Sequence, residues 1–124
     1  MTQTEGLPID SIGPTWLAYL AGIIDGEGCI RINRTKQPRG PNYSYEAILQ
    51  VSMVDSEVIT KMHFLFGGAV RIRKAYQPNA RPAFHWWVTG DRPRKLLFAV
   101  EPYILLKRWQ TLAALRILAC TERH

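Results

Sequence analysis

The stretch Leu20-Ala21-Gly22-Ile23-Ile24-Asp25-Gly26-Glu27-Gly28 decides how this chain is read, because it runs an apolar helix into two carboxylates separated by one glycine. From Trp16 to Ile24 every residue is apolar or small, and a helix apolar all round is expected to be buried. The run is far short of the roughly 20 residues that a bilayer requires, so its burial is expected against protein. Ala18, Ala21 and Gly22 are spaced by three and four, which lets another helix approach closely. Ser11, Pro14 and Thr15 supply start signals, and Gly26 and Gly28 supply the stop.

Asp25 and Glu27 therefore sit at the negative end of the helix dipole, a poor place for acids unless a cation offsets the cost. A hard divalent metal would do so. If two copies of the helix packed side by side, two Glu27 carboxylates would meet at one point, an arrangement suited to Mg²⁺ and phosphodiester hydrolysis. The pattern fits equally well a core helix on which Asp25 and Glu27 are ordinary turn and capping residues.

Working outward, the periodicity predicts four strands. After Gly28, Ile30 and Ile32 share one face while Cys29, Arg31 and Asn33 share the other. A loop from Gln37 to Tyr43 leads to a strand over Tyr45 to Met53, in which Ala47, Leu49 and Val51 alternate with Glu46, Ile48 and Gln50. Asp55 or Ser56 then caps a helix through Phe66, with Val58, Ile59 and Met62 on its core face. Val70 to Tyr76 is expected to turn Val70 and Ile72 inward, and Phe84 to Thr89 to turn Phe84, Trp86 and Val88 inward. Pro93 opens a further helix, and an amphipathic helix is expected from Pro102 to about Cys120. The fold class is α+β, with helices on one face of an antiparallel sheet.

The opposite face of that sheet carries Arg31, Asn33, Gln50, Arg71, Arg73, His85 and Trp87. Such a face suits the DNA major groove, where Arg pairs with guanine and Asn or Gln with adenine. Lys36, Arg39, Lys74 and Arg81 lie in or beside flanking loops, where they are placed for phosphates. The alternative is a plain solvated sheet face, on which Trp87 and Ile48 would be poorly used.

Sixteen Lys and Arg against ten Asp and Glu give a net charge of +6 in 124 residues, which suits a polyanionic partner. The length predicts one domain over residues 14–124 behind an N-terminal extension over 1–13. Cys29 and Cys120 are too few and too far apart for a zinc motif or a disulfide framework, and are read as reduced thiols. Met1 to Gly13 lacks the features of a signal peptide, and Lys95, Glu101 and Lys107 interrupt the other long apolar stretch. The expectation is a protein without a membrane partner, in a bacterial or phage-infected cytoplasm or an organelle matrix. His63, His85 and His124 are scattered, and neither a nucleophilic triad nor a phosphate-binding glycine loop occurs.

The nonapeptide at 20–28, followed by Cys29-Ile30, closely resembles the signature of the LAGLIDADG homing endonucleases. Leu49-Gln50-Val51-Ser52-Met53, Phe66-Gly67-Gly68 and Pro102-Tyr103-Ile104-Leu105-Leu106-Lys107 follow in that family's order and spacing, so the resemblance extends from about Trp16 to Leu118. It implies a single α-β-β-α-β-β-α LAGLIDADG domain with a saddle-shaped sheet, cleaving double-stranded DNA with Mg²⁺ or Mn²⁺. Because the signature occurs once, it implies a homodimer acting on a long, roughly palindromic site. The pairing helix would contribute Trp16, Leu17, Ala18, Leu20, Ala21, Gly22 and Asp25 to the interface. Glu27 corresponds to the metal-binding acid, with the Gly26 carbonyl as a second oxygen ligand, while Asp25 is expected to brace the helix end. Lys107 corresponds to the basic residue beside the scissile phosphate. Met53 departs from the pattern, since some members place a polar residue there that organises water. The same fold also serves RNA-splicing maturases and DNA-binding regulators that do not cleave.

Overall fold

The computed structural model describes residues 3–74 and 78–121. Helix α1 (Pro14–Glu27) leads without a loop into strand β1 (Gly28–Lys36), which pairs with β2 (Tyr43–Met53). Helix α2 (Ser56–Phe66), strands β3 (Ala69–Arg73) and β4 (Ala83–Val88), and helices α3 (Arg92–Val100) and α4 (Arg108–Thr121) complete the order. The four strands form one antiparallel sheet in the order β1-β2-β4-β3.

Alternation decides the two faces of the sheet. Ala47, Leu49 and Val51 of β2 and Trp86 and Val88 of β4 are buried against the helices, together with Leu20, Ala21 and Ile24 of α1, Phe66 of α2 and Leu96, Leu97 and Val100 of α3. Trp86 satisfies its buried indole by donating Nε1–H to the Gly67 carbonyl at 2.7 Å, as a buried Trp requires. Asp55 is the cap of α2, its Oδ1 accepting from the amides of Glu57 at 2.9 Å and Val58 at 3.1 Å. Gly67 and Gly68 both have positive φ, and a Cβ on Gly68 would lie 2.3 Å from the Trp87 carbonyl oxygen, so the turn into β3 admits only glycine there.

Within one chain helix α1 is covered on one side only: Trp16 is 37% and Tyr19 44% exposed, and Ala18, Gly22 and Gly26 are also exposed. Three expectations are corrected. Ile72, expected inward, is 54% exposed, because β3 is an edge strand. That strand ends at Arg73, and Tyr76, its expected end, lies outside the described residues. The last helix begins at Arg108 rather than after Pro102; a 3-10 turn over Glu101–Tyr103 and an extended Ile104, fully buried in the core, come first. The segment preceding α1 packs onto the domain, with Thr4 bridging Gly68, the Leu7 amide donating to the Leu65 carbonyl and Ile12 in the core.

Candidate acidic site and nucleic-acid interface

At the end of α1 the backbone turns directly from helix to strand, and the Gly28 amide still donates to the Ile24 carbonyl. A Cβ on Gly28 would lie 2.6 Å from the Ile24 Cα, so the missing side chain lets β1 leave against the last helical turn. Asp25 and Glu27, two residues apart, take opposite fates. The Asp25 carboxylate is consumed by the protein, Oδ2 accepting from the Leu105 amide at 2.8 Å and Oδ1 from the Lys107 amide at 2.9 Å. Lys107 returns the contact, its Nζ donating to the carbonyls of Ile24 at 2.7 Å and Asp25 at 3.0 Å. The cation that the helix end demands is therefore a lysine of the protein itself, bound to the carbonyls that carry the negative end of the dipole. Burial raises the Asp25 pKa, but the amides of Leu105, Lys107 and Leu106 and the Lys107 charge outweigh it, and the carboxyl titrates below its ordinary value.

Glu27 is exposed and has no hydrogen-bond or ion-pair partner among the described residues. Among those residues no three His, Cys, Asp or Glu side chains gather to hold a metal ion. One chain thus offers a hard cation the free Glu27 carboxylate and, beside it, the carbonyl of exposed Gly26. These are oxygen donors of the kind Mg²⁺ takes, with its other positions left to water and phosphate oxygens.

The outer face of α1 presents Ala18, Gly22 and Gly26 at successive spacings of four, flanked by Trp16 and Tyr19. A Cβ placed on Gly22 or Gly26 meets nothing within 4 Å. Two residues expected on that surface are corrected: Leu20 and Ala21 are completely buried in the chain's own core. Leu17 also packs inward, and Asp25 is engaged as described.

The open face of the sheet carries most of the other candidates. Arg31 and Asn33 of β1 and Arg71 and Arg73 of β3 are exposed, while Gln50 of β2 and Trp87 of β4 are half-buried. Lys36, Arg39, Lys74 and Arg81 are exposed at the strand ends and in the β1–β2 loop. His85 is corrected: it lies on this face but is only 8% exposed. Its Nδ1 is 2.6 Å from the Ser52 Oγ, and its ring stacks on Trp87 at 5.4 Å between centroids. Burial, then the charges of Arg73, Arg71 and Arg31, hold its pKa below the ordinary histidine value. Ser52 was not among the sequence candidates; its signal, a hydroxyl on the outward phase of β2, needs the cross-strand register to acquire a partner. Met53 faces the other way and packs at the core beside its cross-strand partner Phe84.

No protein-family profile matches the sequence, and no curated protein matches it. Solved structures do. The homing endonuclease I-CvuI, in complex with its target in the presence of Ca, superposes with a TM-score of 0.66 at 23% identity, over 87% of this chain and 68% of that one. The archaeal intron-encoded homing endonuclease I-Vdi141I, complexed with DNA, gives 0.62 at 18% identity, over 85% and 67%. The meganuclease I-SmaMI, bound to uncleaveable DNA, gives 0.65 at 15% identity, over 86% of this chain but 37% of that longer one.

Proposed function

We propose, on the premise that this chain has the fold of the LAGLIDADG homing endonucleases and carries their signature pattern at 20–28, that it is a site-specific double-strand DNA endonuclease acting as a homodimer. The observation that carries this reading is the unsatisfied Glu27 carboxylate, at the end of an uncovered small-residue helix face and directly ahead of a basic sheet face. Solved structures sharing the fold are bound to DNA, and two were obtained with Ca or Mg.

In this reading two copies meet along Ala18, Gly22 and Gly26, which brings their Glu27 carboxylates to the dyad. The two sheets then lie along one duplex, so the target is roughly palindromic. Glu27 and the Gly26 carbonyl would hold Mg²⁺, which when bound supplies Lewis-acid activation of the phosphate and of water. Asp25 keeps the helix end rigid so that Glu27 is held in one place. The Lys107 ammonium, anchored on the last α1 carbonyls, lies at the same helix end as Glu27, where it would offset charge developing on a bound phosphate. Arg31, Asn33, Gln50, Arg71, Arg73 and Trp87 would face base edges, and Lys36, Arg39, Lys74 and Arg81 the phosphates.

Cleavage of a randomised palindromic DNA library with Mg²⁺, using Glu27→Gln as the control, tests the proposal: specific double-strand cuts that disappear in the variant are expected. The second reading is a binding protein of the same fold that does not cut, a maturase or a regulator. It is favoured by Met53, which gives the site no polar group at a position where some members of the resembling family have one, and salt-sensitive enrichment without cuts would establish it.

A further inference from the structure

The Ser52–His85 pair lies on the face that the proposed function presents to DNA, yet His85 is too enclosed to reach a base. Core packing does not account for it, since the helices lie on the other face of the sheet. Its surroundings do. Ser52, His85 and Arg71 are direct cross-strand neighbours on β2, β4 and β3. One pleat further along, Trp87 pairs with Gln50 on one side and Ala69 on the other. Ala69 is small and buried. Arg71 reaches toward the indole, its guanidinium carbon 5.9 Å from the Trp87 ring centroid. Trp87 in turn rests on the His85 ring at an interplanar angle of 27°.

The result is a chain of fixed contacts from hydroxyl to imidazole to indole to guanidinium. A free arginine on an open sheet loses considerable rotamer freedom on binding, whereas one laid on an aromatic plane is pre-organised with its donor fork still available. Arg73, Arg71 and Arg31 surround His85 with positive charge, and burial acts in the same direction to keep the imidazole neutral. A neutral ring adds no repulsion to the nearby guanidinium.

Resting on the DNA-binding reading, we propose that Ser52 and His85 are positioning residues that hold the Trp87–Arg71 stack, so that Arg71 selects a guanine at one position of each half-site. The fork of Arg71 meets the O6 and N7 acceptors of guanine in the major groove, and neither Ser52 nor His85 touches the base.

The test is enrichment of bound duplexes from a randomised library in EDTA, with wild type, Arg71→Gln, Ser52→Ala, Ser52→Thr and His85→Gln. Wild type is expected to require guanine at one half-site position, and Arg71→Gln to lose that requirement there alone. Ser52→Ala and His85→Gln are expected to weaken the same preference by about tenfold with other positions unchanged, and Ser52→Thr, which keeps the hydroxyl, to retain it. An undiminished guanine preference in Ser52→Ala, or a loss spread evenly over all positions, overturns the positioning role while leaving DNA binding intact. Absence of salt-sensitive enrichment by wild type overturns the DNA-binding reading and this proposal with it.

Discussion

Asp25 and Glu27 show how two acids of one turn are treated differently: one is bound into the architecture and the other has no partner among the described residues. Asp25 accepts two backbone amides, so Asp25→Ala leaves both donors without their partner and is expected to lower unfolding stability by about 1–2 kcal/mol in urea titrations. Glu27→Gln removes no contact of the described chain, and is expected to leave stability within about 0.5 kcal/mol of wild type while cleavage is lost. His85 makes a prediction in pH. Its folded pKa lies below the unfolded value, so between the two values the unfolded chain binds the extra proton. The contribution is complete above the unfolded value of about 6.5 and is lost as pH falls through the folded value. Wild type is expected to lose more stability than His85→Gln between about pH 7.5 and pH 5, read from denaturant midpoints. The outward phase of these residues was legible in the sequence because strands alternate every second residue. The partnership of His85 with Ser52 was not, since it depends on which strands lie side by side, and 33 residues separate the two.

At the scale of elements, α1 was legible in extent, but not in which of its sides the chain itself covers. Apolarity alone does not distinguish the side that packs into the chain's own core, Leu20, Ala21 and Ile24, from the side left uncovered, Trp16, Ala18, Tyr19 and Gly22. The glycines separate them. Gly28 is confined by the Ile24 backbone, whereas Gly22 has open space. Gly28→Ala is therefore expected to cost about 1–3 kcal/mol in monomer stability. Gly22→Leu is expected to leave far-UV circular dichroism unchanged but to weaken self-association at least about tenfold, measured by sedimentation equilibrium. The late start of α4 was beyond reach for a different reason: the amides of Leu105 and Lys107 are held by a carboxylate about 80 residues away in sequence, and no local pattern records that tie.

At the scale of the whole molecule, the sheet face that the helices leave open carries Arg31, Arg71 and Arg73 and is flanked by further cations. The four loop and strand-end cations, Lys36, Arg39, Lys74 and Arg81, are exposed and carry no sequence information in the proposed function. Neutralising one of them is expected to weaken binding to all duplexes alike and to flatten the plot of log affinity against log salt by about one unit per subunit. Replacing Arg31 or Arg71 is expected to alter base preference as well, which separates the two roles in one titration series.

The reciprocal latch between the end of α1 and Lys107 also sets an order of events. Its partners lie 80 to 83 residues apart, so their union waits for a large, entropically slow closure of the chain. On the ribosome, the helix that bears Glu27 emerges long before the lysine that secures its end. The helix end acquires its fixed position only after Lys107 has been made, and a polypeptide that stops short of it holds the acid without the tie that secures it.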